Sequence, residues 1–301
     1  MPEFVQYGCM SRGETGYKVT QRVRGLPWRE VEKPIVVMLW IAGGILAIQA
    51  FVSYGSIGKI GADSHAYWMT GQPGPLYAAV PSTVDAFLYS PAFAQVISPL
   101  TMLPWPLFCA VWMVSEVGSF VWLFRPLGWR WVGPLTLVCA AEFTIGNIVP
   151  FLAIAAVVGL RWPGWWAVVA LTKPTMALGP VWFAARGQWR QVFTSAVVTL
   201  AVFATSFAFA PKAWGQWVSF LLDNGSAQSG ARGLLPRSLV AVLATVIAAR
   251  LGKPWMLAPA LLLATPVTAG AASLSILAAL PRLLKAARFV APARSSSWDG
   301  G

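Results

Sequence analysis

Apolar residues in this chain run in long blocks rather than in one-sided stripes. "IVVMLWIAGGILAIQAFVSY" (35–54) is apolar all the way round a helix and meets the roughly 20 residues that a bilayer requires. Further apolar runs cover 105–124, 132–160, 164–184, 192–210, 236–249, 255–269 and 271–284. "FLYSPAFAQVISPLTML" (87–103) carries Pro91 and Pro99 and suits either a short span or a helix lying on the outer surface. The pattern predicts an all-α, multi-pass transmembrane helical bundle of about 8–9 spans.

The basic residues orient that bundle. Arg12, Lys18, Arg22, Arg24, Arg29 and Lys33 precede the first run, so 1–33 is expected to be a cytoplasmic tail and 35–54 a retained first span. "RGQWR" (186–190), "RLGK" (250–253) and the tail with Arg282, Lys285, Arg288 and Arg294 should lie on the same side. Two schemes satisfy this. In one, 87–103 spans and 132–160 divides into two short helices around "IGN" (145–147). In the other, 87–103 does not span and 132–160 is one long helix. Either gives a membrane domain over 34–285, a cytoplasmic tail over 286–301, and a plasma-membrane location. Both put 55–86 and the polar "DNGSAQSGAR" (223–232) outside, where two loops can meet over the bundle.

Composition narrows the class. With 57% hydrophobic and 11% charged residues and 17 tryptophans, the 301-residue chain is too apolar for a water-soluble domain. The net charge of +12 is scattered in short clusters between apolar runs, which fits membrane orientation and not nucleic-acid binding. Cys9, Cys109 and Cys139 have no CxxC spacing and no adjacent histidine, so neither a disulfide nor a structural metal is expected. The phosphate-loop, dinucleotide, HExxH and GxSxG patterns are absent from the sequence, which weighs against ATP-driven transport, dinucleotide chemistry and the common hydrolases.

Candidate chemistry gathers in "GADSHAYW" (61–68), just beyond the first span. Asp63 could act as a general base on a hydroxyl, bind a cation, or be a solvated loop residue. His65, the chain's one histidine, could join Asp63 on a divalent cation, although two ligands make a weak metal signal. It suits the orienting of a sugar hydroxyl better. Tyr67, Trp68, Tyr77, Phe87 and Tyr89 crowd the same region, either as stacking faces for a sugar or as an interfacial aromatic belt.

Lys173 lies inside an apolar run, where insertion costs about 2.5–3.5 kcal/mol and something must offset it. "RGQWR" begins 13 residues later, about 20 Å at helical rise. That places Lys173 in the outer part of its span, where a phosphate would satisfy it. Pro174 favours a helix start or kink there. Glu116 and Glu142 are also inside apolar runs, as buried hydrogen-bonding residues or partners for an arginine.

An ordered series of these motifs resembles the polyprenyl-phosphate-mannose-dependent transferases of glycosyltransferase family 87. It consists of "GADSHAYW", "GQPGPLY" (71–77) and "FLYSPAFAQVISPLTMLPWPLFCAVW" (87–112). "TIGNIVPFLAI" (144–154) is similar to the family's Gly-Gln-x-Asn element with Asn147 in the glutamine's place. "LTKPTMALGPVWFAARGQWR" (171–190) is similar to its Lys-Pro helix. "ATPVTAGAASLSILAALP" (264–281) stands where the family often has Ser-Pro-x-Ser-Trp-x-His, and lacks that tryptophan and histidine.

The resemblance implies a GT-C type membrane fold, a polyprenyl-phosphate sugar donor, and inverting transfer to a glycolipid or glycan at an external site. It makes Asp63 the catalytic base. His65, Tyr67, Tyr89, Asn147 and Lys173 become substrate-binding residues, with Arg232 and Arg237 as reserve cations. No cofactor is obligatory, a divalent cation is optional, and no metal site is assigned. Two rivals stay open: a lipid or small-molecule transporter whose pathway is lined by Glu116, Glu142 and Lys173, and a catalytically inactive member acting as a membrane subunit.

Overall fold

The computed structural model describes residues 28–81, 83–224, 233–266 and 271–287. Its described elements are helical. They run α1 (Trp28–Ser56), α2 (Ala62–Met69), α3 (Pro91–Thr101), α4 (Trp105–Phe124), α5 (Trp129–Val138), α6 (Ala140–Ile145) and α7 (Val149–Gly159). They continue as α8 (Trp166–Thr172), α9 (Gly179–Ala185), α10 (Trp189–Phe209), α11 (Pro211–Asn224), α12 (Leu234–Arg250), α13 (Leu257–Leu263) and α14 (Leu280–Ala287). Short 3-10 turns join them, including Pro174–Met176 and Ala271–Ala279.

Among the described residues, three segments are long and apolar enough to cross a membrane: Val31–Ser56, Trp105–Leu127 and Trp189–Phe209. Their outward faces carry Ile45, Ile48, Val52, Val114, Phe193, Val197 and Leu200. So much exposed aliphatic surface calls for lipid, and the chain is membrane-associated. The run 87–103 yields an 11-residue helix, about 16 Å long and short of the roughly 30 Å hydrocarbon thickness.

Two apolar runs are broken. The segment 132–160 divides into α5, α6 and α7, with Gly146 left-handed at φ 77° after α6 and Pro150 opening α7. That division around "IGN" belongs to the first scheme, whereas the short α3 belongs to the second. The segment 164–184 is interrupted at Lys173, whose φ −128° and ψ 81° are extended. The ring of the following proline clashes with a helical residue before it, so the break is written into the Lys-Pro pair.

The core draws its buried side chains mainly from α4, α7, α8, α9, α12 and α13. Trp166 is its largest fully buried side chain. A Cβ on Gly179 would lie 2.0 Å from the Trp166 ring and one on Gly159 2.7 Å from it, so glycine at both positions lets the neighbouring segments close on the indole. Outside this core, α1 lies along α5 and α6. Its seam is tight, because a Cβ on Gly43 would lie 2.8 Å from the Pro134 carbonyl oxygen. One on Gly133 would lie 2.5 Å from the Trp40 ring.

Candidate active site

After α1 the chain turns through Gly61, left-handed at φ 73°, a conformation that glycine adopts without a Cβ clash. The Gly61 N–H donates to the Thr144 carbonyl at 2.7 Å, which fixes the start of α2 against the end of α6. Ser64 packs under Gly146, where a Cβ would come within 2.5 Å of the serine Oγ. Trp112 Nε1 donates to the Gly146 carbonyl at 3.1 Å from the third side. The corner 144–147 is therefore held by three elements.

That corner delivers Asn147 to the base candidate. Asn147 Nδ2 donates to Asp63 Oδ2 at 2.8 Å, while its Oδ1 accepts from the Val149 N–H at 3.2 Å. The second bond orients the amide, so the nitrogen faces the carboxylate. A Gly146→Ala substitution would add both left-handed strain and a clash with Ser64. It is expected to cost about 1–3 kcal/mol, read as a lower thermal unfolding midpoint of the detergent-purified protein, with a loss of transfer activity alongside.

Lys173, Tyr67, Tyr89, Glu116 and Glu142 all lie in the electrostatic field of Asp63. Lys173, 8% exposed, acts on it attractively from the break between α8 and the Pro174 turn. Tyr67 and Tyr89, whose hydroxyls are 3.2 Å apart, form an aromatic wall beside it. Burial pushes the Asp63 carboxyl above the ordinary aspartate range, while the Lys173 charge and the Asn147 hydrogen bond pull it back down. Burial likewise raises both tyrosines, as does the Asp63 charge, so their hydroxyls stay protonated.

The wall is tied to the cation. Ser90 Oγ, one residue after Tyr89, donates to the Leu171 carbonyl, two residues before Lys173. Tyr77 Oη donates to the Tyr89 carbonyl at 2.9 Å. Helix α11, which leads into the second polar region, packs on this loop. Trp217 Nε1 donates to the Leu88 carbonyl at 3.2 Å, and the Phe220 ring packs against Tyr77 at 5.5 Å.

His65 does not join Asp63. Its Nδ1 is 2.5 Å from Asp85 Oδ1, and its ring stands edge-on to Trp105 at 4.6 Å. Sequence reasoning missed Asp85, which lies 20 residues away in a loop without periodic pattern and is left-handed at φ 64°. Arg237 is on α12 with its Nε donating to the Gly233 carbonyl at 3.2 Å. Arg232 lies outside the described residues. Among the described residues no three His, Cys, Asp or Glu side chains converge as a metal site.

Behind the site, Glu116 is 0% exposed and Glu142 2% exposed. No carboxylate oxygen of either glutamate has a hydrogen-bond partner. Ser275 lies near the Glu142 carboxylate without completing a hydrogen bond to it, so the segment that lacks the resembled tryptophan and histidine still reaches this cluster.

These features define a helical membrane protein with a buried carboxylate and cation centre behind its first apolar helix. The chain belongs to glycosyltransferase family 87, whose sequence model matches residues 87–294, the greater part of the chain. It is a glycosyltransferase, using a sugar donor and an acceptor. No curated protein and no solved structure matches it. The matched segment contains Tyr89, Asn147 and Lys173, while Asp63, His65 and Tyr67 precede it and are joined to it by the Asn147 bond.

Proposed function

We propose that the protein transfers a hexose, most simply mannose, from a polyprenyl-phosphate sugar to a glycolipid or glycan acceptor, with Asp63 as general base. In this reading it is a multi-pass plasma-membrane protein with cytoplasmic termini and an external site. The observation that carries it is the pairing of one half-buried carboxylate with one buried lysine in a single field, within a glycosyltransferase family.

The acceptor hydroxyl oxygen bonds to the anomeric carbon as the bond from that carbon to the phosphate oxygen breaks. The electron pair leaves on the polyprenyl phosphate, and the hydroxyl proton passes to Asp63. The phosphate gains a negative charge in this step, so a fixed cation beside it favours the transition state over the ground state. Lys173 supplies that cation. Tyr67 and Tyr89 offer aromatic faces to the sugar, and His65, held by Asp85, an imidazole for a hydroxyl. No cofactor is needed, and a divalent cation would serve only as an auxiliary on the donor phosphate.

The direct test is transfer of labelled mannose from synthetic polyprenyl-phosphate-mannose into membrane lipids by purified protein in bilayers. Label in a new glycolipid is expected, and none from any polyprenyl-phosphate hexose would reject the donor class. The pH profile adds a second check. Asp63 must be ionised to act, and its raised pKa means that the proton returns at higher pH than for a free aspartate. kcat/KM is therefore expected to fall about tenfold per pH unit below a midpoint above the usual ~3.9. A midpoint at or below that value would remove Asp63 as the base.

A further inference from the structure

Helix α4 joins two different surfaces. At one end Trp105 stands against His65, on the helix that carries the base candidate. Its 20 residues then rise about 30 Å, the thickness of the hydrocarbon layer. The Phe124 end therefore lies at the opposite membrane boundary. There it meets α14, which packs on the Arg125–Leu127 and Pro254–Met256 turns.

Cations converge at this junction. Arg282 Nε donates to the Trp122 carbonyl at 2.8 Å, and its guanidinium carbon lies 3.4 Å from the centre of the Trp122 ring. Arg125 follows Trp122 by one turn at the same helix end, and its guanidinium carbon is 5.4 Å from the Trp129 ring centre. Lys285 is exposed one turn after Arg282 on α14. A single cation suffices to cap the last carbonyls of α4, and Arg282 does so. Arg125 and Lys285 add charge that no described carboxylate offsets, since the contact ion pair among the described residues is His65 with Asp85.

The junction also exposes apolar surface. Trp129 is 67% exposed, and Leu127 and Leu284 are exposed beside the cations, while the neighbouring Leu283 is fully buried and anchors α14 in the core. Cations interleaved with an indole and aliphatic side chains suit a boundary where phosphate lies over acyl chains. An acidic peptide or a nucleic acid would leave the apolar part uncovered.

We propose that the junction of α4 and α14 binds the headgroup phosphate of an anionic lipid in the leaflet opposite the base, with Arg125, Arg282 and Lys285 as its cations. Arg282 uses only its Nε on the Trp122 carbonyl, so its terminal nitrogens are left for phosphate oxygens. Leu127, Trp129 and Leu284 lie against the acyl chains. The site is a helix length from Asp63 and takes no part in the transfer step.

The test is lipid binding by the full-length protein, purified in detergent and read by native mass spectrometry. Phosphatidylglycerol and phosphatidylcholine with the same acyl chains are titrated in turn, and phosphatidylglycerol is expected to bind more tightly. Arg125→Gln with Lys285→Gln is expected to weaken that binding about fivefold for each charge removed, the scale of one basic residue near an anionic surface. Both side chains are exposed, so the variant keeps its packing. Lys59→Gln with Lys212→Gln removes the same charge from exposed positions at the other end of the bundle and is expected to leave binding unchanged.

Equal losses in the two double variants would reduce the preference to net charge and overturn the proposal. Equal affinity of the wild-type protein for the two lipids would overturn it without any variant. Inorganic phosphate displacing phosphatidylglycerol at matched concentration would overturn the lipid source, because the chains would then contribute nothing. No sugar donor or acceptor enters the measurement, so its outcome is independent of the transfer reading.

Discussion

An Asp63→Asn protein is expected to transfer sugar about 10²- to 10⁴-fold more slowly than wild type, the range that a positioned base contributes. The substitution preserves shape and leaves an amide oxygen to accept from Asn147, whose bond to Asp63 is 2.8 Å long. What it removes is a place for the hydroxyl proton. Burying a neutral amide also costs less than burying a carboxylate, so the thermal unfolding midpoint should stay level or rise. The measurement is transfer of labelled sugar at matched expression. Activity within a few-fold of wild type would move the base elsewhere.

Lys173→Met should lose about 10²- to 10³-fold in kcat/KM for the lipid-phosphate donor, the scale seen when a group that stabilises transition-state charge is removed. The flexible apolar side chain fills most of the lysine's volume without its charge. Both Asp63 and Glu142 would then lose the lysine charge that lowers their pKa values, and a buried acid without its partner is costly. Weaker binding of polyprenyl phosphate itself should accompany the kinetic loss, read by titration of the protein in nanodiscs. Normal affinity for that product would place the phosphate away from Lys173.

The long helices were legible because nothing interrupts them. The runs at 35–54, 105–124 and 192–210 became α1, α4 and α10. The breaks inside apolar blocks were legible where a special residue marks them. Pro174 takes Lys173 out of helix, as the Lys-Pro pair leads one to expect, and Gly146 turns left-handed within the "IGN" at which one of the two schemes divides 132–160. Asp63 and Lys173 stood out as charges beside and within apolar segments. Asn147, by contrast, is an ordinary polar residue by composition, and only the motif resemblance singled it out.

Asp85 was not legible at all, since its link to His65 spans 20 residues and exists only once the loop is folded. The same holds for Glu142, whose burial could be read from sequence but whose relation to Lys173 could not.

The seam between α1 and α5 lies on the same helix that leads to the base. Gly43 meets the Pro134 carbonyl 13 residues before Ser56, the last residue of α1, which is about 20 Å along the helix axis. Beyond that end, only a short turn separates the helix from Asp63. One continuous helix thus connects the close contact at the glycine with the turn that carries the base. A side chain that wedges the seam open tilts the far end, and an activity screen would score a remote packing residue as though it touched the sugar.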